Sequence, residues 1–259
     1  MLINSRQNSK IKQARSLLTR KARTQSGLFL VEGIRHVGEA IQARYPLEHL
    51  FYAPELLRSP FAEEMIEQAR ARGIPVYEVP PDLFQTLAEK EAPQGIVAVA
   101  QQRSTLLAAL TPEAHPWMVA AITPQDPGNV GTLLRTIDAV GADGLILIEG
   151  GADPWHPTAV RASMGALFWL PVAQVRWDAF IGWAQAFHVY GTSVRGAADY
   201  REVEYARPCV LLLGSEREGL SQEQTAACKT LVRLPMSGRV SSLNLAVAAG
   251  ILLYEMRPS

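Results

Sequence analysis

The stretch "LVRLPMSGRVSSLNLAVAAGILLYE" (231–255) sets the terms for the whole chain. A short apolar run ends at Leu234, and Pro235 and Gly238 shape a loop. Ser241 or Ser242 is placed to cap the helix that follows. That helix is apolar almost all round, and Ala246, Ala248, Ala249 and Gly250 permit close approach of another backbone. A helix without a polar face has to be buried on more than one side. One side is expected to meet a sheet and the other a second subunit. Asn244, in the first turn, needs a hydrogen-bond partner, which backbone capping or a ligand contact would supply.

Upstream lies "LLLGSEREGLS" (211–221), an apolar strand-like run opening into a glycine-bounded loop before a helix. The spacing approaches the phosphate-cradling G-x-x-x-x-G-K-[ST], but Leu220 stands where lysine belongs, and Glu216 and Glu218 sit inside the loop. Two carboxylates oppose a polyphosphate. A cationic or zwitterionic ligand fits better. Further upstream, "DPGNVGTLLRTIDAVGADGLILIEG" (126–150) reads as turn, helix and strand. Asn129 is expected at the helix N-cap. Val130, Leu133, Leu134, Ile137 and Val140 form the buried stripe, Gly141 stops the helix, and Arg135 lies off the stripe. A polar turn and an arginine at the C-terminal edge of a parallel sheet stand where such folds bind ligands.

From Trp117 onward, long apolar strands alternate with helices, which argues for a parallel sheet covered on both faces. Residues 1–101 form a smaller α/β unit, opening with a basic helix over 9–22 and including a short helix "DLFQTLAEK". "QRSTLLAALTPEAHP" (102–116) reads as a linker with one helical turn, leaving 117–259 as the second domain. The 259 residues carry a formal net charge of +0, so the overall field favours no class of partner. The distribution is uneven. No acidic residue precedes Glu32, while Arg6, Lys10, Lys12, Arg15, Arg20, Lys21 and Arg23 crowd together, as either a phosphate-contacting arm or a solvated amphipathic helix. Cys209 and Cys228 read as buried thiols in a reducing cytosol, with no disulfide framework and no metal site. No signal peptide or membrane-length apolar run is read, so a cytoplasmic location is expected. The absence of G-x-G-x-x-G weakens a nicotinamide-enzyme reading, and the scattered histidines read as structural or exposed.

The three loops, in this order, resemble the motifs of the SpoU/TrmH family of the SPOUT superfamily of RNA methyltransferases. Asp126 to Arg135 resembles D-P-x-N-x-G-x-x-x-R. Gly214, Glu216, Gly219 and Leu220 resemble G-x-E-x-x-G-L, and Leu234 to Asn244 resembles [IL]-P-M-x-G-x-x-x-S-L-N. "VRASMGALFWLPV" (160–172) is similar to the family's intervening "RxSxGA" segment. Residues 5–101 resemble the substrate-binding extension of the same family, which is similar to ribosomal protein L30e. The resemblance implies an α/β fold with a C-terminal trefoil-knotted SPOUT domain and an N-terminal L30e-like domain. It implies a homodimer through the C-terminal domain, with an active site built from both chains. It implies an enzyme that takes a methyl group from S-adenosylmethionine to a ribose 2′-hydroxyl of RNA, leaving S-adenosylhomocysteine. Ribosomal RNA is favoured over transfer RNA. The rivals are a transfer-RNA 2′-O-methyltransferase and a catalytically inactive dimeric RNA binder that keeps the scaffold. Carried over residue by residue, Asn129, Arg135, Glu216, Ser242 and Asn244 are the candidate catalytic group. Thr192, Gly214, Glu216, Gly219, Leu234, Met236, Ser242 and Leu243 are the candidates for holding the cofactor. Arg135 is also expected to contact RNA, and Glu218 has no assigned role.

Overall fold

The computed structural model describes residues 1–88, 93–194 and 198–257. The chain divides into two compact units, Met1–Gln102 with Asp153–Trp169, and Arg103–Ala152 with Leu170–Ser259. The first runs α1 (Ser9–Ser16), α2 (Arg20–Ser26), β1 (Leu28–Glu32), α3 (Ile34–Gln42), β2 (Leu47–Tyr52), α4 (Pro60–Ala71), β3 (Val76–Glu78), α5 (Pro81–Gln85) and β4 (Ile96–Gln101). In the second, β5 (Trp117–Ile122), α6 (Pro127–Val140) and β6 (Gly144–Ile148) come first. The chain then returns to the first unit for α7 (Pro157–Ala162). It resumes with β7 (Val172–Val175), α8 (Trp177–Ala184), β8 (His188–Thr192), β9 (Ala198–Asp199), β10 (Cys209–Leu213), α9 (Gln222–Ala226), β11 (Thr230–Arg233) and α10 (Leu245–Glu255).

The second unit holds a seven-stranded sheet in the order β7-β6-β5-β10-β8-β11-β9, with every pairing parallel. Its middle strands β5, β6 and β10 are buried along their whole length. A parallel sheet with both faces covered requires that, and the long Val/Ile/Leu runs supply it. Met118, Ile146, Val210 and Leu212 pack with Phe180 and Phe187 from the α8 side. The first unit is built on a mixed sheet, β1-β4-β2-β3, antiparallel except for β2 with β3. Its core joins Ile11 and Leu17 to Phe51, Phe84, Val97 and Val99.

Several local readings change. The basic helix over 9–22 is two helices, because Thr19 caps a new start, accepting from the Ala22 N–H at 3.4 Å. The short helix near 82–90 closes at Gln85, and its last positions, Glu89 and Lys90, lie outside the described residues. The stretch after β4 is tied down. Gln102 donates to the carbonyls of Arg23 and Leu28, Thr105 N–H bonds Val172 O at 2.8 Å, and Leu107–Ala109 makes one 3₁₀ turn. Sequence boundaries that run unbroken from 117 to 259 also miss the excursion Asp153–Trp169, whose helix α7 packs on β1 of the first unit.

Arg23 is the largest correction within the basic arm. It is 1% exposed. Its Nε donates to Asp153 Oδ2 at 2.7 Å, and its guanidinium also donates to Leu17 O at 2.9 Å and Leu18 O at 3.1 Å. A guanidinium so enclosed holds the turn between α1 and α2 and offers nothing to RNA. Breaking a buried ion pair by removing one partner costs about 3–5 kcal/mol, because the other charge stays buried. Urea unfolding followed by circular dichroism should therefore show Arg23→Ala lowering the unfolding free energy of this unit by that amount, with its midpoint at lower denaturant.

Candidate active site

The C-terminal ends of β8, β10 and β11 open into one cleft of about 980 Å³, closed on another side by the start of α10. Crevices beyond the carboxyl ends of parallel strands are where open α/β sheets bind ligands. β10 delivers Gly214. A Cβ there would lie 2.3 Å from the carbonyl carbon of Gly219, so a side chain cannot be accommodated. Ser215 and Gly219 exchange backbone hydrogen bonds at 3.0 and 2.9 Å, closing the acidic loop into a hairpin that presents Glu216.

Glu216 binds two elements at once. Its Oε2 accepts from the Gln125 N–H at 3.1 Å, and its Oε1 accepts from Asn129 Nδ2. Asn129 Oδ1 in turn accepts from Asn244 Nδ2 at 3.0 Å. Asn244 Oδ1 then accepts from the N–H groups of Ala246 and Val247, at 2.9 and 3.3 Å. One continuous hydrogen-bond chain thus joins the three loops singled out in the sequence. Each amide is engaged at both ends, which defines which end is oxygen.

The capping assignments differ from the sequence reading. Asp126, not Asn129, is the N-cap of α6, accepting from Gly128 N–H at 2.7 Å with Pro127 in the first turn. Asn129 is the third residue of the helix, which frees its amide for Glu216. Ser241 and Ser242 are exposed in the preceding loop, and Asn244 caps α10.

Thr192, Gly214, Glu216, Gly219, Leu234, Met236, Ser242 and Leu243 all line the cleft, as do Asn129 and Asn244. Sequence reasoning did not single out Arg217, Leu245 and Leu252, which line it too, read Ala248 only as a close-packing residue, and gave Asp126 no site role of its own. Asp-Pro at a helix start is a recognisable N-cap and first-turn signature that would have found Asp126. Among the described residues, Asp126, Glu216, Arg217 and Glu218 are the charged side chains of the lining, and no lysine is among them. Leucines and a methionine supply the apolar part. That mix suits a ligand with a flat apolar portion and a cationic centre, and it disfavours polyphosphate. None of the five histidines is among the lining residues.

Arg135 stands apart. It is exposed on α6, six residues after Asn129, hence about 9 Å along the axis and about 240° around it. It is not among the residues that line the cleft. α10 packs on α6 with Gly250 beside Thr136, and it buries Ala246, Ala249, Leu252 and Leu253. Its other face presents Val247, Ile251 and Tyr254, a stripe at helical spacing that stays exposed. In the first unit Arg6, Lys12, Arg15, Arg20 and Lys21 are exposed and Lys10 is half-buried.

Residues 116–254 match the SpoU rRNA Methylase family. The chain belongs to this family. Residues 8–98 match the MRM3-like substrate binding domain. Among curated SpoU-family relatives, the 23S rRNA (uridine(2479)-2′-O)-methyltransferase of Streptomyces viridochromogenes is 35% identical, over 96% of this chain and 89% of that one. The 23S rRNA (guanosine(2553)-2′-O)-methyltransferase RlmP of Bacillus subtilis is 32% identical over 98% of both chains. The AdoMet-bound rRNA methyltransferase from Sinorhizobium meliloti superposes with a TM-score of 0.90 at 36% identity, covering 99% of this chain and 97% of that one.

The position of Asn244 yields a divided test. Loss of a helix N-cap costs about 1 kcal/mol. Asn244→Ala should lower stability by about that much, while Asn244→Asp keeps the capping oxygen but cannot donate to Asn129. Paired denaturation curves should show Asp recovering most of the stability that Ala loses.

Proposed function

We propose that this SpoU-family chain transfers a methyl group from S-adenosylmethionine to a ribose 2′-hydroxyl of ribosomal RNA, releasing S-adenosylhomocysteine, and works as a cytoplasmic homodimer. The observation that carries the proposal is the Asn244–Asn129–Glu216 hydrogen-bond chain around a mixed acidic and apolar cleft. Close relatives named as 23S rRNA 2′-O-methyltransferases, and an AdoMet-bound structural neighbour, support the same reading.

The residues fit the donor. Leu234, Met236 and Leu243 offer apolar surface and backbone groups for the adenosine portion, with Thr192 and Gly214 on the opposite strands. Glu216, set at the end of the hairpin, provides negative charge where a sulfonium and an ammonium need it. Ser242 and Gly219 complete the wall. Bound there, S-adenosylmethionine would supply an electrophilic methyl group, the C–S bond breaking as the ribose oxygen forms the new C–O bond, with the hydroxyl proton passing to solvent water. Holding reactants in line can supply roughly 7–11 kcal/mol of such a barrier. The rigid amide chain gives Asn129 and Asn244 that positioning role.

Arg135 grips the RNA phosphate and orients the hydroxyl. A guanidinium is a donor-only group and a poor proton acceptor, so its part is positioning. Because it does not line the cleft of its own chain, it completes the cleft of a second copy. The exposed stripe Val247, Ile251 and Tyr254 is the natural seat for that copy, and burying it removes apolar surface from water. The reading also carries a trefoil knot, in keeping with β11 pairing between β8 and β9, strands consecutive in sequence.

Arg135→Ala should abolish transfer of labelled methyl to ribosomal RNA while calorimetry with S-adenosylmethionine changes little; full activity would remove Arg135 from the mechanism. Replacement of Ile251 with Glu should convert the dimer to monomer in analytical ultracentrifugation and lose methylation with it. A chain that binds RNA but shows neither heat with S-adenosylmethionine nor labelled product would be a binding protein on the same scaffold.

A further inference from the structure

The first unit contains a second, smaller cavity, of about 310 Å³, at the small end of ligand pockets (roughly 300–1,000 Å³). Its walls come from α3, from Phe61 at the start of α4 and from Gln94 before β4. Three glycines make room for its side chains. A Cβ on Gly38 would lie 2.8 Å from Phe61 Cε1, one on Gly33 2.9 Å from Gln94 Oε1, and one on Gly165 2.5 Å from Glu39 Cγ. Phe61 therefore approaches the backbone of α3 with its ring atoms Cε1 and Cζ, closer than a side chain at Gly38 would allow, and still remains 40% exposed.

The polar groups are equally constrained. Gln94 Oε1 accepts from the Ile34 N–H at 3.0 Å, which leaves its NH₂ group as the one that can meet a ligand. Glu39 Oε2 accepts from the indole of Trp169 at 3.0 Å, and Trp169, 54% exposed, is a second surface aromatic held beside the same helix. Arg35 and Glu39, both in the lining, balance each other in charge. A phosphate would meet the Glu39 carboxylate there. A neutral, flat ligand whose edge carries both donors and acceptors meets an aromatic ring, an amide and a carboxylate.

We propose that this cavity receives one unpaired RNA nucleobase, stacked on Phe61 and read along its edge by Gln94 and Glu39. The inference rests on the RNA-substrate reading above and deepens it. Single-stranded RNA is recognised by splaying bases onto aromatic side chains and bonding their edges. The exposed cations of the basic arm, on the same unit, supply the sequence-independent attraction for phosphate that such sites need.

The test uses the full-length chain with Phe61→Leu, Phe61→Tyr and Gln94→Ala. Stacking on an aromatic side chain is worth enough that its removal weakens binding roughly 5- to 150-fold. Fluorescence anisotropy with single-stranded RNA oligonucleotides should show that loss for Phe61→Leu and recovery in Phe61→Tyr, and Gln94→Ala should change the preference among the four bases. In methylation assays the loss should fall on KM for RNA rather than on kcat, with S-adenosylmethionine affinity unchanged. Equal RNA affinity in wild type and Phe61→Leu would overturn the base site even if methylation stands. Methylation absent from the wild type, with anisotropy still sensitive to Phe61, would remove the methyltransferase reading and keep the base site. A change in sedimentation of Phe61→Leu, with RNA affinity intact, would make the face a protein contact and overturn the proposal.

Discussion

The second unit depends on one chain of amides and a carboxylate. Gln125, Glu216, Asn129, Asn244 and the first N–H groups of α10 are joined without a break. Loops at the end of a parallel sheet have no ladder of their own, and each carries entropy that folding must overcome. Linking three of them through side chains makes each loop a brace for the others. Networks of this kind act as units, so the arrangement of Glu216 is decided as much by the cap of α10 as by its own hairpin.

The sheet explains why those loops meet. β10 lies between β5 and β8, and β11 lies beyond β8, so the strands carrying the second and third motifs end close together with the first motif adjacent on β5. Apolar pattern, not polar chemistry, creates that order. The motif residues are then added at strand ends, where a change of side chain costs the core little.

Much of this was legible in the sequence because the signals were periodic or short-range. The stripe Val130, Leu133, Leu134, Ile137 and Val140 is buried as its spacing requires, and the continuous runs of β5, β6 and β10 are central strands. The caps were misread for a physical reason: Asp126, Asn129, Ser241, Ser242 and Asn244 all have short polar side chains that can cap, and only tertiary partners decide which do. Asn129 was drawn inside the helix by Glu216, a residue 87 positions away. Arg23 looked like its basic neighbours because nothing local marks a burial that depends on Asp153. The cavity at α3 left no motif at all, since its seats are glycines whose meaning lies in what packs against them.

The excursion Asp153–Trp169 also has a temporal consequence. A chain emerging from the ribosome presents Arg23 long before Asp153, 130 residues later, and domains ordinarily fold as units during synthesis. Here the N-terminal unit is available only in part when residue 102 has emerged: β1 lacks the helix that covers it, and a guanidinium destined for the interior still lacks its counter-charge. Completion waits until β5, α6 and β6 have been made. The two units are consecutive on the page but interleaved in time, and no single cut in the polypeptide separates them.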